Sequence, residues 1–296
     1  MTWDLTALPG PFAAVGRTPL VPIWIDGIRI WLKLEGQNPT GSVKDRAAVA
    51  MLRGRIRSGE LHPESIILDA SNGNMASALA CYGRALGLET HIVCTAPTAT
   101  ERQMIDLFGA TLIENDLGPH LHDGHRKCLE LVNRRDQPYC YLDQLHNPNN
   151  PRAHETETGP EILRGLPGVR LIVGSLGTGG TMLGVGRAVR RLRVMVAAVT
   201  AAPGSRMPGL GSFADGDRVS PFITQAEEER LFSACEQVTT HEATHWQRAL
   251  VDHGLSCGLQ TGAVVAAALT LAHKHNLRDG TVVISGDAGW KTWPTP

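Results

Sequence analysis

The sequence predicts an α/β fold built on mostly parallel, doubly wound sheets. Short runs rich in Ile and Val alternate with helical patterns along the whole chain, which is typical of right-handed βαβ units. The strand-like runs are apolar at nearly every position, as in sheets that helices cover on both faces. With 296 residues, the chain is long enough for one large domain or two of ordinary size.

The elements follow in order along the chain, bounded mostly by Gly, Pro or Asp. The predicted strands are 28–34, 65–69, 90–94, 111–114, 171–173, 194–199 and 281–284. The predicted helices are 43–57, 75–86, 100–108, 181–191 and 261–275. The Pro- and Asn-rich stretch 147–151 is the best candidate for a crossing between domains, and 203–219, dense in Gly and Pro, indicates a surface loop.

Composition excludes several classes of function. A net charge of −1 provides no basic surface for nucleic acid, so we expect none as a partner. No apolar run reaches membrane-spanning length and no signal peptide is visible at the N-terminus. The 6 cysteines are scattered without metal-ligand spacing, which favours a reduced, cytoplasmic protein.

A glycine-rich segment is the first candidate site. The strand 171–173 runs into Gly174-Ser-Leu-Gly-Thr-Gly-Gly-Thr181, and a helix follows. Backbone N–H groups at such a turn, with the positive end of a helix dipole, bind small anions such as phosphate. The Lys-Ser/Thr ending of a P-loop is missing, and a tight turn without a ligand explains the segment equally well.

Lys44 is the second candidate. Ser42 is a plausible N-cap, which places Lys44 in the first turn of the following helix. The positive end of the helix dipole disfavours an ammonium there, so we expect a lowered pKa, as a Schiff-base lysine requires. The alternative is a solvated surface lysine.

The third candidate is the turn after the strand 65–69, which reads Asp69-Ala-Ser-Asn-Gly-Asn-Met-Ala-Ser77. Successive amides in such a turn bind a carboxylate, and an Asn side chain can hydrogen-bond an aromatic oxygen. Taken alone, the turn is better explained as a polar N-cap for the next helix.

Together these segments resemble the fold-type II pyridoxal 5′-phosphate (PLP) enzymes, and within them the cysteine synthases (O-acetylserine sulfhydrylases) of the B type. The resemblance runs from Gly16-Arg-Thr-Pro-Leu20 almost to the C-terminus. Further matching segments are 143–148, 154–161, 254–269 and 284–289, and the short loop 205–210 favours the B type.

The resemblance implies an architecture and a set of cofactor ligands. It implies two doubly wound domains, with the cofactor in the cleft between them. The larger, PLP-binding domain would comprise 1–36 and 146–296, and a smaller, mobile substrate domain 37–145. Lys44 would form the Schiff base and move the substrate Cα proton. The remaining implied cofactor ligands are Asn74 at the ring oxygen, Gly177, Thr178, Gly179, Gly180 and Thr181 at the phosphate, and Thr261 at the pyridine nitrogen.

The resemblance also implies the substrate site and the reaction. The substrate carboxylate would be bound by Ser71, the turn amides of Asn72 and Gly73, and Gln144. The reaction would be β-elimination from an activated L-serine (O-acetylserine or O-phosphoserine) to an aminoacrylate. Addition of a small nucleophile, ordinarily sulfide, would then give L-cysteine or a related β-substituted alanine. A homodimer is carried over from the family.

Three segments depart from the family pattern. Met75-Ala76 replaces the usual Thr-Gly, Gln260-Thr261-Gly262 replaces Ser-Ser-Gly, and Trp290-Lys-Thr-Trp293 replaces an Arg-Tyr pair. The Met75 departure falls at the substrate carboxylate site that the resemblance implies. In one interpretation, Met75 is a flexible apolar side chain that packs against a bulkier substrate. In the other interpretation, Met75 points into the packing of its own helix.

Two other functions are open. The turn at 71–76 is also similar to that of serine/threonine dehydratases, so a PLP lyase or dehydratase is the second candidate function. A non-catalytic relative is the third.

The segment His241-Glu-Ala-Thr-His245 fits the HExxH zinc motif. Thr239 and Glu242 explain the segment better as a capping box, and we expect no metal ligand.

Overall fold

The computed structural model describes residues 3–71, 73–95, 97–118, 120–216 and 220–292. Asn72 and Trp293, both named above, lie outside the described residues. Within those ranges, no helix has the length and apolarity that crossing a bilayer needs. The chain divides into two compact units: the smaller unit, Met1–Val15 with Lys44–Asn150, and the larger unit, Gly16–Val43 with Pro151–Pro296.

The smaller unit is built on a parallel four-stranded sheet. Its strands are β3 (Ile66–Ala70), β4 (Thr90–Cys94), β5 (Thr111–Glu114) and β6 (Tyr139–Tyr141), in the order β5-β4-β3-β6. Its helices are α1 (Gly10–Ala13), α2 (Lys44–Ser58), α3 (Asn74–Leu86), α4 (Ala99–Leu107) and α5 (Leu121–Arg134).

The sheet of the smaller unit is covered on both faces. Successive residues of a strand point to opposite faces. Ile67 packs with α2 and α3 in one apolar cluster, and its neighbour Leu68 packs with α5 in another. This is why the β3 sequence is apolar without a gap until Asp69.

The larger unit contains a six-stranded mixed sheet. Its strands are β1 (Leu20–Ile25), β2 (Ile28–Leu34), β7 (Leu171–Ser175), β8 (Met195–Ala201), β9 (Ala234–Val238) and β10 (Thr281–Ser285), in the order β1-β2-β10-β7-β8-β9. The helices after Asn150 are α7 (Gly159–Gly165), α8 (Gly180–Val189), α9 (Pro221–Glu228), α10 (Thr240–Asp252) and α11 (Leu259–Lys274). A short helix, α6 (Asn149–Ala153), contains the division between the units.

The antiparallel pair of β1 with β2 is not among the elements predicted from the sequence. Strand and helix do not alternate strictly there, because Asp26 and Gly27 form a hairpin turn with φ values of 49° and 72°. Asp-Gly at a two-residue turn with both φ positive is a strong hairpin signal. Pro22 obscures it, since proline is tolerated in strands mainly at an edge, and β1 is an edge strand.

The unit boundaries differ from those expected. Residues 1–15 belong with the smaller unit rather than the larger one, because Phe12 packs its ring 5.0 Å from that of Tyr82. Segment 37–43 belongs with the larger unit, where the Val43 N–H donates to Gly286 O over 2.8 Å. Asn150 stays in the smaller unit, and its side chain donates to Gln144 O over 2.8 Å.

Candidate active site

Lys44 is the first residue of α2, and its side chain is partly buried. Loss of hydration lowers the pKa of its amine from 10.5 to about 8, since burial disfavours the charged form. The direction is the one expected from the sequence, although burial rather than the helix dipole is the main cause. An amine with this pKa can act as a nucleophile or a base near neutral pH.

The turn between β3 and α3 is organised by Ser71. The Ser71 hydroxyl oxygen accepts the N–H of Gly73 at 3.3 Å and that of Ala76 at 3.2 Å. A hydroxyl that accepts two bonds still has its own proton to donate. Asn74 is partly buried at the first position of α3, whose N-cap, Gly73, offers no side-chain acceptor. The Ser71 hydroxyl can therefore donate to an anion at this turn.

Gln144 lies beside this turn. Its Nε2 donates to Ala70 O over 2.6 Å, one residue before Ser71. Gln144 is buried, and the second Nε2 hydrogen remains for a ligand. Within the smaller unit, the structure thus brings together two candidates that are distant in sequence.

Asp69 supports both segments and is not among the site residues predicted from the sequence. Its carboxylate accepts Ala70 N at 2.8 Å and Gln144 N at 3.3 Å. Burial raises the pKa of Asp69 well above its usual value, although these two hydrogen bonds lower it in part. The sequence feature that could have identified Asp69 is a carboxylate near the end of an otherwise apolar strand.

Met75 does not line this turn. Its side chain is 1% exposed and packs in the core cluster of the smaller unit with Met51 and Leu79. The position after Asn74 points into the helix packing, so the structure favours the second of the two interpretations of this departure. Ser71 and Gln144 remain the candidates for binding a carboxylate, whereas the Gly73 N–H already donates to the Ser71 hydroxyl.

In the larger unit, the glycine-rich segment has the features of an anion site. It joins β7 to α8, which begins at Gly180 without a side-chain cap. The N-cap Gly179 has a φ of 87°, and a Cβ there would lie 2.8 Å from Ile223 Cγ1. The Thr178 hydroxyl is buried and has no hydrogen-bond partner. An unpaired buried donor beside uncapped helical N–H groups fits a phosphate group.

Thr181 is positioned by His154, which lies in one of the segments that carry the family resemblance. His154 is fully buried, with Nδ1 3.0 Å from Thr158 Oγ1 and Nε2 3.2 Å from Thr181 Oγ1. It begins a π-helical turn, His154–Thr158, a type of turn that is frequent at functional sites. Nothing in the sequence pairs His154 with Thr181.

Thr261 forms a buried hydroxyl pair. Its Oγ1 lies 3.0 Å from Ser285 Oγ, and both residues are buried. A neutral hydroxyl here fits a pyridine nitrogen that stays unprotonated, as the resemblance implies. Ser285, at the end of β10, is not among the ligands predicted from the sequence.

The HExxH segment is the start of α10. The Glu242 carboxylate accepts Thr239 N at 2.9 Å, and Thr239 Oγ1 accepts Glu242 N at 3.2 Å. The predicted capping box is therefore confirmed. Among the described residues, one group of three could hold a metal ion, and it lies elsewhere: His125, Asp143 and His146.

The chain is similar to known proteins over most of its length. The family model described as "Pyridoxal-phosphate dependent enzyme" matches residues 12–286. Cysteine synthase B of Escherichia coli (strain K12) is 34% identical over 284 residues, which cover 93% of this chain and 91% of the relative.

Two solved structures have the same fold. A hydrogen sulfide-producing enzyme from Fusobacterium nucleatum aligns with a TM-score of 0.87 and 27% identity, over 96% of this chain and 99% of the other. O-ureido-L-serine synthase aligns with a TM-score of 0.85 and 26% identity, over 95% of this chain and 92% of the other.

Proposed function

Because this chain belongs to the family of pyridoxal-phosphate-dependent enzymes, we propose that it catalyses β-replacement on an activated L-serine, O-acetylserine or O-phosphoserine. A small nucleophile takes the place of the leaving group, and the product is L-cysteine or a related β-substituted alanine. The observation that carries the proposal is the Lys44 amine, whose pKa is lowered to about 8, in a chain that resembles cysteine synthase B over most of its length.

In the larger unit, the Thr178 hydroxyl and the N–H groups from Gly177 to Thr181 would bind the cofactor phosphate, which would satisfy the otherwise unpaired Thr178 Oγ1. The Thr261 hydroxyl, 3.0 Å from that of Ser285, would be the partner of the pyridine nitrogen. When bound, the cofactor supplies an electron sink for carbanion chemistry at the substrate Cα.

In the smaller unit, the Lys44 amine would hold the cofactor, and in its neutral form it can accept the substrate Cα proton and return it. Asn74 would donate to the ring oxygen of the cofactor. The Ser71 hydroxyl and the second Nε2 hydrogen of Gln144 would bind the substrate carboxylate.

The cofactor assignment is tested by borohydride reduction followed by peptide mapping. We expect the purified protein to be yellow and the reduced cofactor to be found on the peptide that contains Lys44. Lys44→Ala should carry no reducible linkage. A linkage that survives in Lys44→Ala, or maps to another lysine, would disprove the role of Lys44.

The reaction is tested with a substrate panel. O-acetylserine, O-phosphoserine, serine and threonine are supplied separately, each with and without sulfide. We expect an acylated or phosphorylated serine to be consumed with formation of cysteine. Keto-acid formation from serine or threonine, independent of sulfide, would instead identify a lyase or dehydratase, and turnover of none of the four would exclude both.

We also propose that the protein is a homodimer of the cytoplasm. Both properties are carried over from the family, and the scattered cysteines suit a reduced compartment. Light scattering on the purified protein should give twice the chain mass of 31.8 kDa. A monomer mass at micromolar concentration would contradict the dimer.

A further inference from the structure

Two histidines and an aspartate meet in the smaller unit, outside the residues assigned above. His125 lies on α5, and Asp143 and His146 lie in the turn after β6. We call these three residues the His-Asp-His cluster. Asp143 has a φ of 57°, and its carbonyl accepts the N–H of His146 at 3.1 Å. This tight turn places the His146 ring beside the Asp143 carboxylate.

The distances within the cluster suit a metal ion. Nδ1 of His146 lies 2.9 Å from Asp143 Oδ1, and Nδ1 of His125 lies 3.5 Å from the same oxygen. Two ligands at roughly 2.0–2.1 Å from a tetrahedral ion are about 3.3 Å apart. One potential ligand atom from each of the three residues lies within 4.8 Å of the others. Three protein ligands with one open position is a common zinc arrangement.

The surroundings favour a cation. The Asp143 carboxylate faces two imidazole nitrogens, those of His125 and His146. The Tyr141 hydroxyl lies 2.6 Å from His125 Nδ1 and 3.4 Å from Asp143 Oδ1, so a further oxygen borders the same group. Arg55 donates to the Tyr141 carbonyl and pairs with the Glu60 carboxylate.

We propose that the His-Asp-His cluster binds one divalent first-row transition-metal ion, with Zn²⁺ as the representative ion. Two imidazole nitrogens and one carboxylate are donors that such ions accept, whereas Ca²⁺ and Mg²⁺ prefer oxygen. The ion joins α5 to the turn that carries Gln144, one residue after Asp143. It therefore fixes the position of that turn. This site belongs to the smaller unit, whereas the HExxH segment belongs to the larger one, and no motif in the sequence predicts it.

The test measures zinc binding by the full-length protein with its cofactor bound. After treatment with a chelator and dialysis, the protein is titrated with ZnCl₂ by calorimetry, and the bound metal is measured after gel filtration. We expect one equivalent of zinc. His146→Asn should bind at least a hundredfold more weakly, since loss of even an outer-shell partner costs roughly 10–100-fold in metal affinity.

The controls separate this site from other zinc ligands. The double variant His241→Ala with His245→Ala should bind as wild type does. His146 is the most exposed member, with 44% of its side chain accessible, so His146→Asn should retain its circular dichroism spectrum and its thermal midpoint without metal. No zinc bound by wild type, equal binding by His146→Asn, or loss of binding in the HExxH double variant would each overturn the proposal.

Discussion

A lysine that loses part of its hydration holds its proton less tightly, and Lys44 illustrates how a single residue gains reactivity. With a pKa of about 8, roughly a tenth of its amines are neutral at pH 7, against about one in three thousand for an ordinary lysine. The gain in neutral amine is therefore roughly 300-fold. Desolvation is the physical cause of this gain.

The pH dependence of Lys44 follows from this shift. In protein freed of cofactor, the rate of modification of Lys44 by an amine-directed reagent should rise with pH and reach half its maximum near pH 8. The amine is protonated below that pH and reacts only when neutral. Peptide mass spectrometry measures the rate. A midpoint near 10.5, the ordinary value for lysine, would contradict the burial of this amine.

Met75 belongs to the core rather than to substrate recognition. Met75→Thr would place a hydroxyl in an apolar cluster, and an unpaired buried hydroxyl costs about 1–3 kcal/mol. We expect the free energy of unfolding to fall by about that amount, and substrate preference to stay the same. Denaturant unfolding and the substrate panel measure both quantities.

Met75→Leu is the matched control for this variant. It should cost less than about 1.5 kcal/mol, because the substitution conserves volume. If Met75→Thr unfolds like wild type but changes the preferred donor, Met75 contacts the substrate after all.

Some of the candidate site residues lie in a local pattern of the sequence. Lys44, Ser71 and Thr178 follow from loop–helix segments that are continuous in sequence. Ser285 and His154 do not, since their hydroxyl partners lie 24 and 27 positions away in the chain. A single sequence contains no record of which distant side chains touch.

At the level of elements, the segment that joins β7 to α8 contains a buried hydroxyl without a partner, that of Thr178. Such a group destabilises the protein until a ligand satisfies it. Leu176, two residues earlier, is buried in an apolar cluster of the larger unit, which anchors the segment. In the proposed function, this loss of stability is recovered when the cofactor phosphate binds.

Thr178→Val tests how the Thr178 hydroxyl affects cofactor affinity and stability, because it keeps the side-chain shape and removes only the hydroxyl. A hydrogen bond to a charged group contributes about 1.5–3 kcal/mol, so cofactor affinity should fall roughly ten- to a hundredfold. The protein without cofactor should be as stable as wild type or more stable. Spectroscopic titration with PLP and thermal unfolding measure the two effects.

Thr178→Ser is the control for the hydroxyl, and we expect it to retain wild-type affinity. If the Val variant binds the cofactor as tightly as wild type, the Thr178 hydroxyl does not contact the phosphate.

The sequence predicts some strands to the residue and misses others. β2, β4 and β5 have the predicted ends, because a short run that contains Ile with Leu or Val marks each of them. The missed strands are short or interrupted: β1 contains Pro22, β6 has 3 residues, and β9 contains the adjacent polar residues Glu236 and Gln237. Their strand conformation comes from pairing with neighbours, which the local sequence does not encode.

At the level of the whole molecule, ligand binding is linked to folding. The proposed cofactor ligands exist as a set only in the folded chain, so the cofactor stabilises that state. At a cofactor concentration about one hundred times the dissociation constant, the gain in the free energy of unfolding is about 2.7 kcal/mol.

The division into two units could be expected from the sequence, but the place of residues 1–15 could not. These residues belong to the smaller unit through the contact of Phe12 with Tyr82, which are distant in the chain.

Removal of the cofactor should therefore lower the midpoint of thermal unfolding by several degrees. The measurement compares the protein as purified with protein from which hydroxylamine has removed the cofactor, and then with the same sample after PLP is restored. Lys44→Ala should show a smaller difference, since it lacks the covalent link. Equal midpoints with and without cofactor would contradict the linkage.

The hairpin of β1 and β2 also affects how the protein behaves at high concentration. The outer edge of a sheet carries unpaired N–H and C=O groups that can pair with a strand of another chain. Pro22 lies within β1 and has no N–H to offer. At the opposite edge, β9 carries the charged Glu236. Both edges of the larger sheet are therefore poor templates for strand addition, which protects the protein against edge-to-edge aggregation.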